Sequence, residues 1–214
     1  MALSKVNFNS LNLTPTASKT VVFNSSNNGI EAGDVGGALT LISTQTASSS
    51  STISFTSGID STYKEYIFKF IDIHPATDTA HLTFQASTDG GSNYNTTVTS
   101  SSFRAYHDEP DGNNGLSYDT SRDQAQGTAF ENIIGDIGND NDQTGIGTLH
   151  LFNPSDTTFV KHFLSNSTKV QFNDYQDQQF NAGYFNTTSA INAVQFKMSS
   201  GNIDSGTIKM YGVT

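Results

Sequence analysis

With 214 residues the chain is long enough for one sizeable β domain, or for a domain with an appendage. Its net charge of −10 and its ten singly scattered Lys and Arg argue against a nucleic-acid partner, which needs a clustered basic surface. The lack of cysteine excludes disulfides, thiolate metal sites and cysteine nucleophiles. No apolar run approaches the ~20 residues that span a bilayer, so no membrane insertion is expected.

The polar mass is mostly Ser, Thr and Asn, with only 14% charged residues but 15 Phe and 8 Tyr. Disordered chains are usually charge-rich and aromatic-poor, so this composition points to packed sheets joined by polar loops. The opening Met1-Ala2-Leu3-Ser4-Lys5-Val6 lacks the apolar core of a secretory signal, and a soluble protein is expected.

The first 37 residues read as an extended arm. Val6, Phe8, Leu11, Leu13, Val22 and Phe23 are its apolar anchors, spaced by Asn, Ser and Thr and interrupted at Pro15, with no sustained helical period. Gly33-Asp34-Val35-Gly36-Gly37 reads as its hinge. Such an arm either docks on a neighbour or folds back on its own domain as an edge strand.

From Ala38 onward short strands follow one another. Ala38 to Gln45 and the alternation around Ile53 and Phe55 come first. Tyr66 to Ile73 is the most apolar run and predicts a central strand buried on both faces, ended by Pro75. Leu82, Phe84 and Ala86 share one face of the next strand, and Thr88-Asp89-Gly90-Gly91-Ser92 predicts a hairpin turn after it. The stretch from Asp108 to Gly147 is acidic and glycine-rich; Ala125, Ala129, Phe130 and Ile133 predict a short helix over 123–134, weakened by Gly127. Strand signals resume at Thr148 to Phe152, Phe159 to Leu164, Lys169 to Phe172, Gln179 to Phe185, Ala190 to Met198 and Thr207 to Val213. Some nine or ten strands with turns between them predict an all-β, antiparallel β-sandwich or jelly-roll-like domain over residues 38–214.

Chemistry-bearing motifs are sparse. His74, His81, His107, His150 and His162 are far apart, with no paired-imidazole spacing; only His150 and His162, in adjacent predicted strands, have a route to meet. Asp108, Glu109 and Asp111, and Asp136, Asp140 and Asp142, are oxygen-rich loops that invite calcium but lack the EF-hand form, so solvated loops are the better reading. There is no nucleophile elbow or phosphate loop, no cofactor is called for, and no two carboxylates stand out as a glycosidase pair. Tyr106, Asp108, Glu109 and Tyr118 form the best candidate ligand-contacting loop: aromatic planes stack on sugars while carboxylates take hydroxyls. Core packing is the competing role for any one Tyr.

Several segments resemble small virion proteins of marine tailed bacteriophages, including cyanophages. They are Lys5 to Ser10, Val22 to Gly29, Ile71 to Asp78, Phe103 to Glu109, Leu149 to Pro154 and, most characteristically, Ser199 to Val213. The resemblance implies a non-enzymatic structural protein on the virion surface, a tail fibre or tail appendage attached through its arm, β-rich and often a homotrimer. Its partners would be copies of itself, other virion proteins and a host surface glycan. A capsid decoration or cement protein, a head fibre, and a carbohydrate-binding module or depolymerase are the alternatives. The resemblance identifies no catalytic residue.

Overall fold

The structure is a computed structural model that describes residues 20–23, 30–33 and 38–213. The chain divides into two compact units, Met1–Ala38 and Leu39–Thr214. In the first, β1 (Thr20–Phe23) and β2 (Ile30–Gly33) form an antiparallel hairpin. Val22 and Phe23 thus belong to a paired strand, while Val6, Phe8, Leu11 and Leu13 lie outside the described residues.

The second unit is an antiparallel β-sandwich, and its described residues contain no helix. Its strands are β3 (Leu39–Ser50), β4 (Ile53–Phe55), β5 (Glu65–Pro75), β6 (Ala80–Ser87), β7 (Val98–Asp108), β8 (Asn114–Tyr118) and β9 (Ala125–Gly127). They continue with β10 (Glu131–Ile137), β11 (Gly145–Phe152), β12 (Lys161–Val170), β13 (Tyr175–Phe185), β14 (Ala193–Met198) and β15 (Ile203–Val213). A broad sheet runs β3-β15-β5-β11-β12-β13-β7-β8, with β9 also on β7; a narrow sheet runs β10-β6-β14-β4.

The sheets are joined by interlocking phenylalanines. Phe84 and Phe196 project from the narrow sheet; Phe68, Phe70, Phe163 and Phe185 project from the broad one. Phe196 meets Phe68 at 5.3 Å and Phe70 at 5.4 Å, and Phe84 meets Phe163 at 5.1 Å, edge to face. That geometry sets the positive ring edge on the negative face and adds about 1 kcal/mol per pair beyond burial. Leu82, Phe84 and Ala86 share the core-facing side as their alternation requires.

Three expectations are corrected. Residues 123–134 are not helical: β9 and β10 occupy them, with Glu131 paired to Phe84 of β6. Ile133 and Ile134 are both fully buried in one core where the register of β10 against β6 shifts between Asn132 and Ile134, a pattern that mimics helical spacing over so short a run. The turn at 88–92 is real but closes no hairpin, because β6 lies in the narrow sheet and β7 in the broad one. The Asp89 carboxylate caps it, accepting from Asn93 N and Asn93 Nδ2. Finally, β5 is not buried throughout. Tyr66, Phe68, Phe70 and Ile73 enter the core, whereas Ile71 is 38% exposed on the other face. Near its end β5 bulges at Asp72 (φ 51°), where Gly206 of β15 lies so close that a Cβ would sit 2.8 Å from Asp72 O.

Candidate functional site: an apolar outer sheet face

The broad sheet has an unusual division of labour. Along β12, residues Lys161, Phe163, Ser165, Ser167 and Lys169 are buried, while His162, Leu164 and Asn166 are exposed. Along β13, Asp177, Gln179 and Asn181 are buried, and Gln178, Phe180 and Ala182 face outward. Strand β7 repeats this, with Ser102 buried and Phe103 exposed. At this end of the sandwich the inside carries charged and amide side chains, while the outside sets Leu164, Phe180, Ala182 and Phe103 among polar His162, Asn166 and Gln178.

The inside is an ionic and amide network, in which Lys169 Nζ and Asp177 Oδ1 face each other as an ion pair without hydrogen-bond geometry. Asp177, fully buried, lies 3.1 Å from Lys169 Nζ and accepts from Arg104 Nη1 (2.9 Å) and Gln171 Nε2 (2.6 Å). Arg122, from the β8–β9 connection, lies in the same layer: it donates to Gln179 Oε1 (3.0 Å) and to Asp136, with Asp119 at 3.1 Å from its Nε. Gly135 makes room for it, since a Cβ there would meet the guanidinium carbon at 2.4 Å. Gln179 also accepts from Gly135 N. Burial pushes Lys169 down to about 8, against the pull of Asp177, and pushes Glu131 up to about 7. His81, whose Nδ1 accepts from Asp136 N, is also lowered, chiefly by burial. Each charge in this layer has an opposite charge or an amide beside it, the condition for burying charge at tolerable cost.

The outer face shows the reverse. Cross-strand pairing places Phe103 beside Phe180, Phe180 beside Asn166, and Asn166 beside Thr148. Phe103 and Phe180 stack with centroids 4.9 Å apart and planes 13° from parallel. Next to them Leu164 is 51% exposed, and Ile146 46%. A trough of about 420 Å³ runs over this face between Phe103, His150, Leu164 and Phe180. Along its flank β8 presents Leu116, opposite Ala105, and Tyr118, opposite Phe103; they are 72% and 55% exposed.

The four loop residues singled out from sequence are not brought together. Tyr118 shares the outer face with Phe103 and donates to Asp123, whereas Tyr106 sits on the inner side of β7. Asp108 is buried and structural: it accepts from Gly112 N, Asn113 N and Asn113 Nδ2, which hold its carboxyl below the usual range and fix the β7–β8 turn. Glu109 is exposed beside it. Tyr106 instead joins Tyr175, centroids 6.0 Å apart, in a polar cleft of about 260 Å³ with Arg104, Asn113, Gln171 and Asn173. Arg104 stacks 4.9 Å from the Tyr106 ring.

His150 pairs with Leu164, not His162, and its Nδ1 lies 2.5 Å from Glu65 Oε1. Asp136 is held by Arg122, apart from Asp140 and Asp142. Among the described residues no three His, Asp or Glu side chains are grouped to hold a metal ion. The outer face itself went unread in the sequence. Its signal is the alternation in Lys161–Val170 and Tyr175–Phe185, where polar residues with buried partners alternate with Leu164, Phe180 and Ala182. No protein-family model, curated protein or solved structure matches this chain.

Proposed function

We propose that this protein is a non-enzymatic structural component of a bacteriophage particle, a tail fibre or tail appendage on the virion surface that works by contact. The observation that carries the reading is the apolar outer face of the broad sheet. A face bearing Phe103, Phe180 and Leu164 around a trough of about 420 Å³ suits a macromolecular contact better than permanent exposure to water. The separate unit Met1–Ala38, which contains Val6, Phe8, Leu11, Leu13, Val22 and Phe23, supplies the attachment to other virion proteins.

Mass spectrometry and immunogold labelling of purified particles test this. The protein is expected on the particle surface in tens of copies or fewer; hundreds would move it to capsid decoration. A chain lacking residues up to Gly36 is expected to fold and to be missing from particles. Absence of the intact chain from particles refutes the virion role, and normal incorporation of the shortened one refutes arm attachment.

A second reading, contact with a host surface glycan, is favoured by the Tyr106–Tyr175 cleft. There two aromatic rings meet the side-chain amides of Asn113, Gln171 and Asn173. A glycan array with the wild-type chain and Tyr175→Ala tests it: sugar binding lost in the variant supports the cleft, and an array with no signal removes it.

A further inference from the structure

We infer that the outer face of the broad sheet is an interface to a second copy of this chain, packed face to face about a two-fold axis. The inference rests on the contact role proposed above and names its partner.

The first argument is the inversion across β12, β13 and β7. A one-residue change of register exchanges the two faces of a strand. Here the face turned to the core carries Lys169, Asp177 and Gln179, and the face turned away carries Leu164, Phe180 and Phe103. The inner groups are tied into one network, so the inward orientation is specified. Apolar residues on the opposite face then need burial from outside the chain.

The second argument is charge. The chain carries −10, yet the centre of this face, over Leu164, Ala182, Phe180, Asn166 and Phe103, has no formal charge. Charge lies at its border, with Lys69 beside Thr148 and Glu65 beside His150. Two strongly acidic copies approach with least repulsion through an uncharged surface, and the same surface on a second copy matches it in chemistry.

The third argument is extent and shape. Six strands, β5, β11, β12, β13, β7 and β8, at ~4.8 Å spacing span about 29 Å, and seven residues of strand cover about 23 Å. That is on the order of 650 Å² before corrugation, close to the ~800 Å² per partner of a stable interface. A single extended segment covers a stripe roughly one or two strands wide, whereas a second sheet covers the whole at the usual ~10 Å separation. A two-fold contact also needs a self-complementary surface. The apolar centre provides one: near the axis Leu164 and Phe180 of each copy meet their counterparts on the other.

Sedimentation velocity on the full chain tests this with Leu164→Glu and Leu164→Lys. Leu164 lies on a middle strand of the face, near the axis, and is exposed in the single chain, so both variants keep the fold, as an unchanged circular dichroism spectrum checks. The wild type is expected to sediment as a dimer at micromolar concentration. Each variant alone is expected to weaken association at least tenfold by setting like charges together, and an equimolar mixture of the two to restore the dimer. A monomeric or trimeric wild type, dimerisation unaffected by Leu164→Glu, or a mixture that stays monomeric overturns the inference. A dimer absent from phage particles would leave it standing and remove only the virion reading.

Discussion

The Glu131 carboxyl offers the sharpest test of the interior. It is fully buried at the start of β10, accepts from Gln124 Nε2 at 2.9 Å, and leaves its other oxygen, Oε1, without a hydrogen-bond partner. Loss of hydration raises it from 4.5 to about 7; Ser100 and Gln124 offset this only in part. A folded-state value above the unfolded one means the folded chain holds more protons between pH 4.5 and about 7. The stabilisation from the protonated form is complete below about 4.5 and is lost as pH rises through 7. At 1.36 kcal/mol per unit, the difference amounts to about 3 kcal/mol. Glu131→Gln keeps the shape and cannot ionise. It is expected to match the wild type at about pH 4 and to exceed it by about 3 kcal/mol at about pH 8 in urea unfolding. His81 acts in the opposite sense, its lowered value contributing stability above 6.5 that fades as pH falls. It is common to both proteins, so the difference between them isolates Glu131. A difference that stays constant from about pH 4 to pH 8 would refute the reasoning, because it would mean that the carboxyl ionises freely in the folded state.

Two further substitutions separate the apolar and polar halves of the core. Phe196→Ala removes the ring that touches Phe55, Phe68 and Phe70 and is expected to cost about 3–5 kcal/mol, read as a lowered urea midpoint with unchanged slope. Arg122→Met takes one of two donors from Gln179 Oε1, leaving Gly135 N, and removes the cation that Asp119 and Asp136 face. A loss of about 3 kcal/mol is expected, and a neutral result in the same assay would show that the network contributes no stability.

Alternation made much of the fold legible. In β6 a period of two set Leu82, Phe84 and Ala86 on one face, and that face is buried. The failures have physical causes. Ala125, Ala129, Phe130 and Ile133 imitate a helix because β9, a loop and a β10 of irregular register follow one another within a dozen residues. The Asp89 turn has hairpin chemistry, but a turn does not specify whether the returning strand pairs locally or crosses to the other sheet. Tyr106 and Tyr118 looked like neighbours in one loop. In fact they stand on paired strands, at positions that alternation sends to opposite faces.

The outer face shows where reading by hydrophobicity alone stops. A period of two divides a strand into two faces but does not say which one turns inward. In β5 the apolar face is larger, and it takes the core. In β12 and β13 neither face is decisively apolar, and pairing of charges settles the outcome. Lys169 and Asp177 sit opposite each other in register, and Gln179 lies two residues along from Asp177, so turning these inward sets Lys169 against Asp177 and Gln179 against Arg122. Turning Leu164 and Phe180 inward instead would send the ion pair to solvent, where it contributes little, and would leave Arg122 facing a wall without acceptors. The interior network therefore fixes the register, and the apolar outer face follows from it. Substitutions that weaken the network are thus expected to loosen the same strands that present Phe103, Phe180 and Leu164 to a partner.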